Sequence, residues 1–263
     1  MMRRESIAVL AIMALSIAFW TTPAQAMHIT EGILPPAWAA LWFLVAVPFV
    51  AWGLAEVNRR RREDPQSIVM VALVGSAVFV ISCMPVPIPW IGSCSHPCGT
   101  GLGALLIGPG PTIVVASIAL VLQALFLSHG GLTTLGANIV SMGVVGALGA
   151  YFVFHGLRAL RVPLFAAALV AGLTSDWATY ATTALELSSA LHGNGPLRAM
   201  FLYVAAAFVP TQLPLGIAEG VMTAIAYRFV LTRRPELLTA RWSSLKTGAN
   251  AAGRVEPQAG GIA

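Results

Sequence analysis

Long apolar runs separated by short arginine-bearing breaks leave this chain few folds other than a bundle of membrane helices. Residues 37–57 form one such run, which ends at Asn58 and the tetrad Arg59-Arg60-Arg61-Arg62; others cover residues 67–84, 112–127, 134–154, 163–191 and 198–229. With 57% hydrophobic and only 10% charged residues, the chain lacks the polar surface that a soluble globule of its length needs. The net charge of +5 comes almost wholly from arginine, Lys246 being the only lysine. Because the arginines lie in the breaks between runs, the excess reports membrane topology rather than nucleic-acid binding.

Ahead of the first run, Arg3-Arg4, the uncharged stretch 7–20 and Ala24-Gln25-Ala26 follow the order of a secretory signal peptide with a small-x-small cleavage site. Residues 1–26 are therefore expected to be removed, leaving the new N-terminus outside. The first span then runs inward and places Arg59 to Arg62 in the cytoplasm, as the positive-inside rule asks. Span 67–84 returns to the outer face, where 85–100, rich in Pro, Gly and Ser, reads as an ordered loop. A single helix over 101–127 would strand Arg158 and Arg161 on the wrong side. A break at Gly108-Pro109-Gly110-Pro111 removes the conflict and makes 99–107 a short inward element of roughly 14 Å. Such a piece cannot cross a core of about 30 Å and must pack inside the bundle. The expected fold is an all-α integral membrane protein with about seven membrane segments, one of them short and broken. Residues 27–231 form its transmembrane domain, and 232–263, polar and rich in Gly and Ala, form a disordered cytoplasmic tail.

Cleavage after Ala26 exposes Met27-His28. A chain that begins X-His offers three nitrogens to one ion: the terminal amine of Met27, the amide nitrogen of His28 and its imidazole Nδ1, closing a five- and a six-membered ring. Tetragonal ions such as Ni(II), Cu(II) or Co(II) accept such in-plane nitrogens. A histidine beside a cleavage site also arises by chance, so the dipeptide needs support. His28, His96, His129 and His192 fall on the outer side of the expected topology and His155 at the inner boundary. His96 is the candidate for a fourth nitrogen, because it stands in the constrained loop Ser93-Cys94-Ser95-His96-Pro97-Cys98-Gly99-Thr100-Gly101. His129, Glu31 and Asp176 are candidates to orient the ligands through hydrogen bonds. Asp176 and Glu219 both lie at membrane depth, where a carboxylate is costly: each either serves function or pins two helices. Cys98 is open to a disulfide with Cys94, to simple packing or to acting as a soft ligand, while Cys83 reads as a small buried residue. Gly143, Gly146 and Gly149 form a helix-packing stripe.

Met27-His28-Ile29-Thr30-Glu31-Gly32-Ile33-Leu34-Pro35, the loop 93–103 followed by Leu106-Ile107-Gly108-Pro109, His129-Gly130-Gly131-Leu132-Thr133-Thr134-Leu135-Gly136-Ala137-Asn138, and Ser175-Asp176 together resemble the CbiM/NikM family. Those proteins are the substrate-specific membrane components of energy-coupling-factor importers for cobalt and nickel. Glu31-Gly32 and the Ser-His-Pro-x-Gly-Thr-Gly loop resemble the cobalt branch; Cys98 departs from the threonine or small residue expected there. The resemblance implies that the mature terminus folds back and binds one Co(II) through Met27, His28 and His96, with no resident cofactor and the ion as cargo for cobalamin synthesis. It also implies partners: a transmembrane scaffold subunit, cytoplasmic ABC-type ATPases and a small accessory membrane subunit. The location implied is the bacterial inner membrane, with the C-terminus cytoplasmic. No Gly-x-x-x-x-Gly-Lys-Ser/Thr loop occurs in the chain, so it is expected to be a transport component and not an enzyme. Import of Ni(II), a proton-coupled metal exchanger using Asp176 and Glu219, and a metal sensor remain as other readings.

Overall fold

Among the described residues, proline marks the start of four of the seven helices. Pro36 opens α1 (Pro36–Glu63) and Pro109 opens α4 (Pro109–Phe126), while Pro163 and Pro196 stand just ahead of α6 (Leu164–Leu191) and α7 (Leu197–Arg233). In a first turn the missing N–H would have no partner anyway, and the fixed φ is already helical. For this reason α4 begins at Pro109, three residues earlier than the composition of the break suggested. The other helices are α2 (Ser67–Ser82), the eight-residue α3 (Thr100–Ile107) and α5 (Leu135–Ala159). This computed structural model describes residues 28–84, 86–88 and 93–234, so the expected signal peptide, Met27 and the tail beyond Arg234 lie outside it.

Among the described residues four helices, α1, α4, α5 and α7, are long and apolar enough to cross a membrane, and α2 is a shorter apolar helix. The protein is a multi-pass membrane protein. The expected break is present: Gly108, at φ +86°, ends α3 and begins α4. All eight residues of α3 are buried, as an element too short to span must be. At its far end Arg60 donates from Nη1 to the Ile107 carbonyl at 2.6 Å, and Glu56 holds the same guanidinium at 2.7 Å. A cation thus meets the negative end of the short helix dipole.

Two features were not expected. Residues 86–95 contain a short antiparallel pair, β1 (Val86–Ile88) and β2 (Ser93–Ser95), which pairs Val86 with Ser95 and Ile88 with Ser93. Within α5, Ile139–Gly146 is wound as a π-helix, a form that recurs next to functional sites. Of the glycine stripe, Gly146 is the demanding member: a Cβ there would lie 2.7 Å from Thr179 Oγ1 and 2.9 Å from Thr100 Oγ1. Gly143 and Gly149 have room for one.

Gly136, at the start of α5, sits against the backbone of α1, where a Cβ would come within 2.7 Å of Phe43 Cα. Backbone cannot swing aside as a side chain can. Gly136→Ala should therefore destabilise the bundle by about 1–3 kcal/mol, the usual range for overpacking. A thermal midpoint in detergent unchanged from wild type would contradict this contact.

Candidate metal centre

The backbone after His28 is held on both sides. Asn138 of α5 accepts the Ile29 N–H on Oδ1 at 2.9 Å, and Thr134 donates its hydroxyl to the Ile29 carbonyl at 2.5 Å. The turn after α4 closes over the same segment. Gly130, at φ +83°, places its Cα where a Cβ would lie 3.1 Å from the Cβ of His28. At Gly131 a Cβ would lie 2.6 Å from Glu31 Cα. The Glu31 carboxylate accepts the Thr133 N–H at 3.1 Å, and its hydrogen bonds with Thr133 hold it below the usual carboxylate range. Glu31 thus ties the first segment to the turn, and its carboxylate contact is with backbone rather than with an imidazole.

The second loop, residues 93–99, is gripped by α6 and α7. Tyr180 Oη accepts the His96 N–H at 2.8 Å and donates to the His96 carbonyl at 3.1 Å. Gln212 Nε2 donates to Ser95 Oγ at 2.6 Å. Two residues further on, Glu219 accepts the Cys98 N–H on Oε2 at 2.6 Å and the Gly99 N–H on Oε1 at 2.9 Å. Two backbone donors compensate a carboxylate that is 1% exposed. Of the two expectations for Glu219, the pin is the one its geometry displays, between α7 and the loop rather than between two helices.

These constraints bring three imidazoles together. His28 and His96 have ring centroids 5.0 Å apart, His28 and His129 5.4 Å, and His96 and His129 6.3 Å. His192 and His155 are elsewhere, bonded within their own turns to Gly195 and Tyr151. Burial lowers the pKa of His28 to about 4 and that of His129 to about 3; burial, with His28 beside it, also pushes His96 well below the ordinary imidazole value. Each ring is therefore neutral at physiological pH, the form that binds metal.

Their hydrogen bonds select the free nitrogens. Gln123 of α4 faces His28 Nε2 with Oε1 at 3.0 Å, and its own Nε2 donates to Ser82 Oγ at 2.7 Å. An amide oxygen only accepts, so His28 carries its proton on Nε2 and keeps its lone pair on Nδ1. In the same way the Pro97 carbonyl accepts a hydrogen bond from His96 Nδ1–H at 2.6 Å, which leaves the lone pair of His96 Nε2 free for a metal. His129 Nε2 is buried with no hydrogen-bond partner. Gln123 was not among the sequence candidates, although a lone amide in an apolar span marks it. Met27 lies outside the described residues.

Asp176 is brought to a different place. It is fully buried on α6, with Oδ1 3.9 Å from Cys98 Sγ, and not against an imidazole. Cys98 itself is a free, buried thiol, so of the readings open for it a disulfide is not the one adopted.

The family model for the cobalt uptake substrate-specific transmembrane region, CbiM, matches residues 28–237. The chain belongs to the CbiM family. It is 57% identical over 216 residues to a cobalt transport protein CbiM of Geobacter sulfurreducens, a match covering 82% of this chain and 62% of that one. A cobalt transport protein CbiM of Sorangium cellulosum is 57% identical over 212 residues, which span 81% of this chain and 94% of that one. Among solved structures, a transition metal transporter superposes with a TM-score of 0.71 at 25% identity, covering 82% of this chain and 98% of its own. A truncated transition metal transporter gives 0.70 at 26% identity, over 78% and 99%. The chain is thus a membrane component of a family whose members are named as cobalt transport proteins, not as enzymes. The matched region contains all three converging histidines.

The depressed imidazole pKa values carry a sign. Below about pH 6.5 these imidazoles take up protons in the unfolded chain that they refuse in the folded one, so their contribution to stability is complete above that pH and is lost as pH falls toward about 4. The share of the thermal midpoint owed to these rings, read as the difference between the metal-free protein and its His129→Leu variant, should change on acidification through this window in the direction that costs the imidazole-bearing protein stability. A shift of that difference in the opposite direction would mean that the ring is charged in the folded state.

Proposed function

We propose that this protein is the metal-capturing, substrate-specific membrane component of an ATP-driven importer of the energy-coupling-factor class, and that it takes Co(II) from outside with its mature N-terminus. The observation that carries the reading is the convergence of His28 and His96, with ring centroids 5.0 Å apart, buried, neutral and each with one ring nitrogen left free. His28 Nδ1 is the nitrogen that an X-His terminus uses in its chelate, and Gln123 leaves that nitrogen unprotonated. The amine of Met27, the amide nitrogen and Nδ1 of His28 and the Nε2 of His96 then supply four nitrogens to one ion, which is cargo rather than a resident cofactor. His129 stands beside both rings and shields or orients them. Capture is proton-linked, since the amine and the amide must lose protons to bind.

On this reading the signal peptide is removed at Ala26, the ligand-bearing face is periplasmic and the arginine-rich ends are cytoplasmic. A scaffold subunit, ABC-type ATPases and a small accessory subunit in the inner membrane supply the energy that this chain lacks a phosphate-binding loop to provide. The imported ion serves cobalamin synthesis. Metal analysis of the purified mature protein after growth with equimolar cobalt and nickel tests the cargo. About one tightly held cobalt per chain is expected; a clear nickel excess would reassign the metal, and no retained metal would remove the reading.

A further inference from the structure

We propose that Cys98, Asp176 and Glu219 form a second divalent-cation site, separate from the imidazole cluster and lying on the α3 side of His96. One donor atom from each residue falls within 4.8 Å of the other two, and all three residues are buried. The Asp176 carboxyl is 0% exposed and its Oδ2 has no hydrogen-bond partner. Two carboxyl groups so close in a dry interior require a positive species between them, a proton or a metal. A sulfur beside them selects the metal by its chemistry, since a thiolate with two carboxylates suits a borderline-soft divalent ion such as Co(II) or Zn(II) rather than Mg(II).

One ligand pair already lies near the separation such an ion needs. Tetrahedral coordination, with sulfur at about 2.3 Å and oxygen at about 2.1 Å, separates ligand atoms by roughly 3.4–3.6 Å. Cys98 Sγ stands 3.9 Å from Asp176 Oδ1, so a few tenths of an ångström close that pair. Glu219 is already oriented by the Cys98 and Gly99 N–H groups and keeps lone pairs free. Entry of one M(II) displaces the thiol proton and whatever proton the carboxyls hold, each passing to solvent, so binding is proton-linked. The site stands two residues along the chain from His96, where an ion leaving the imidazoles would next meet ligands. That role as an inner way-station rests on the capture reading; the existence of the site does not.

Cobalt itself is the probe. Purified mature protein in detergent, titrated with Co(II), should bind two equivalents and develop a near-ultraviolet thiolate-to-cobalt charge-transfer band with the second. Cys98→Ser should abolish the band and lower the stoichiometry from two to one, leaving the tight equivalent in place. Asp176→Asn, a smaller perturbation of the fold, should likewise remove the weaker equivalent. His96→Ala should do the reverse, losing the tight equivalent and keeping the band. The site is overturned if wild type shows no band at saturating cobalt, if the band survives Cys98→Ser, or if it vanishes with His96→Ala, which would place the sulfur in the histidine site. Failure of the capture reading shows separately, as a tight equivalent indifferent to His96.

Discussion

His96→Ala should abolish high-affinity cobalt binding and cobalt accumulation while the protein still inserts and folds. The imidazole contributes one of four proposed donors, and within the described residues the only other ring near enough to substitute is His129, which approaches His96 at 6.3 Å between centroids. The loop does not depend on that ring for its shape. Tyr180, Gln212 and Glu219 hold it through the backbone of His96, Cys98 and Gly99 and the hydroxyl of Ser95. The loss should exceed a hundredfold in affinity, because residues that merely orient a ligand already cost about 10–100-fold when removed. Gln123→Leu, which takes away the acceptor that sets the His28 tautomer, belongs in that smaller range. Direct measurement of cobalt binding by both purified variants checks the order. If Gln123→Leu were the more damaging, the donor set would be misassigned.

The parts of this fold that were legible in the sequence are those set by the membrane. Apolar length, arginine placement and the Gly108-Pro109-Gly110-Pro111 break locate the seven described helices, because a bilayer penalises charge and unpaired backbone wherever they fall, although α1 runs on through the arginine tetrad to Glu63 and α5 to Ala159. The loops followed less well. The β1–β2 pair lies against α7 and the π-wound Ile139–Gly146 against α4 and α6, contacts between distant segments that no local pattern encodes. His28, His96 and His129 could be named as candidates because they share one side of the topology. Their closeness could not, since it depends on Asn138 and Thr134 drawing residue 29 into the bundle and on Glu219 holding a loop 121 positions away at Cys98. Asp176 was recognisable as a costly buried acid, but its neighbours were not: whether it faces an imidazole or Cys98 is a matter of helix rotation about α6.

A mature chain carrying one extra alanine before Met27 should insert, remain stable and accumulate no cobalt. The added residue turns the Met27 amine into a peptide nitrogen and moves His28 to the third position, which changes the ring sizes of the chelate. Nor is the segment free to slide back by one residue. Ile29 is held at both backbone groups by Asn138 and Thr134, and a Cβ on Gly130 would lie only 3.1 Å from the Cβ of His28, so the register of residues 28–31 is set by the bundle and not by the ion. The new residue is therefore added ahead of position 27 rather than absorbed by a shift, and the proposed amine donor of Met27 is gone. Affinity should fall by orders of magnitude, with folding unaffected, because the groups that dock the terminus remain intact. Mass spectrometry of the purified protein establishes that the alanine is retained, and uptake of labelled cobalt in cells gives the readout. Near-wild-type uptake by the verified extended chain would mean that the terminal amine is no ligand, and would leave capture to His28, His96 and His129 alone.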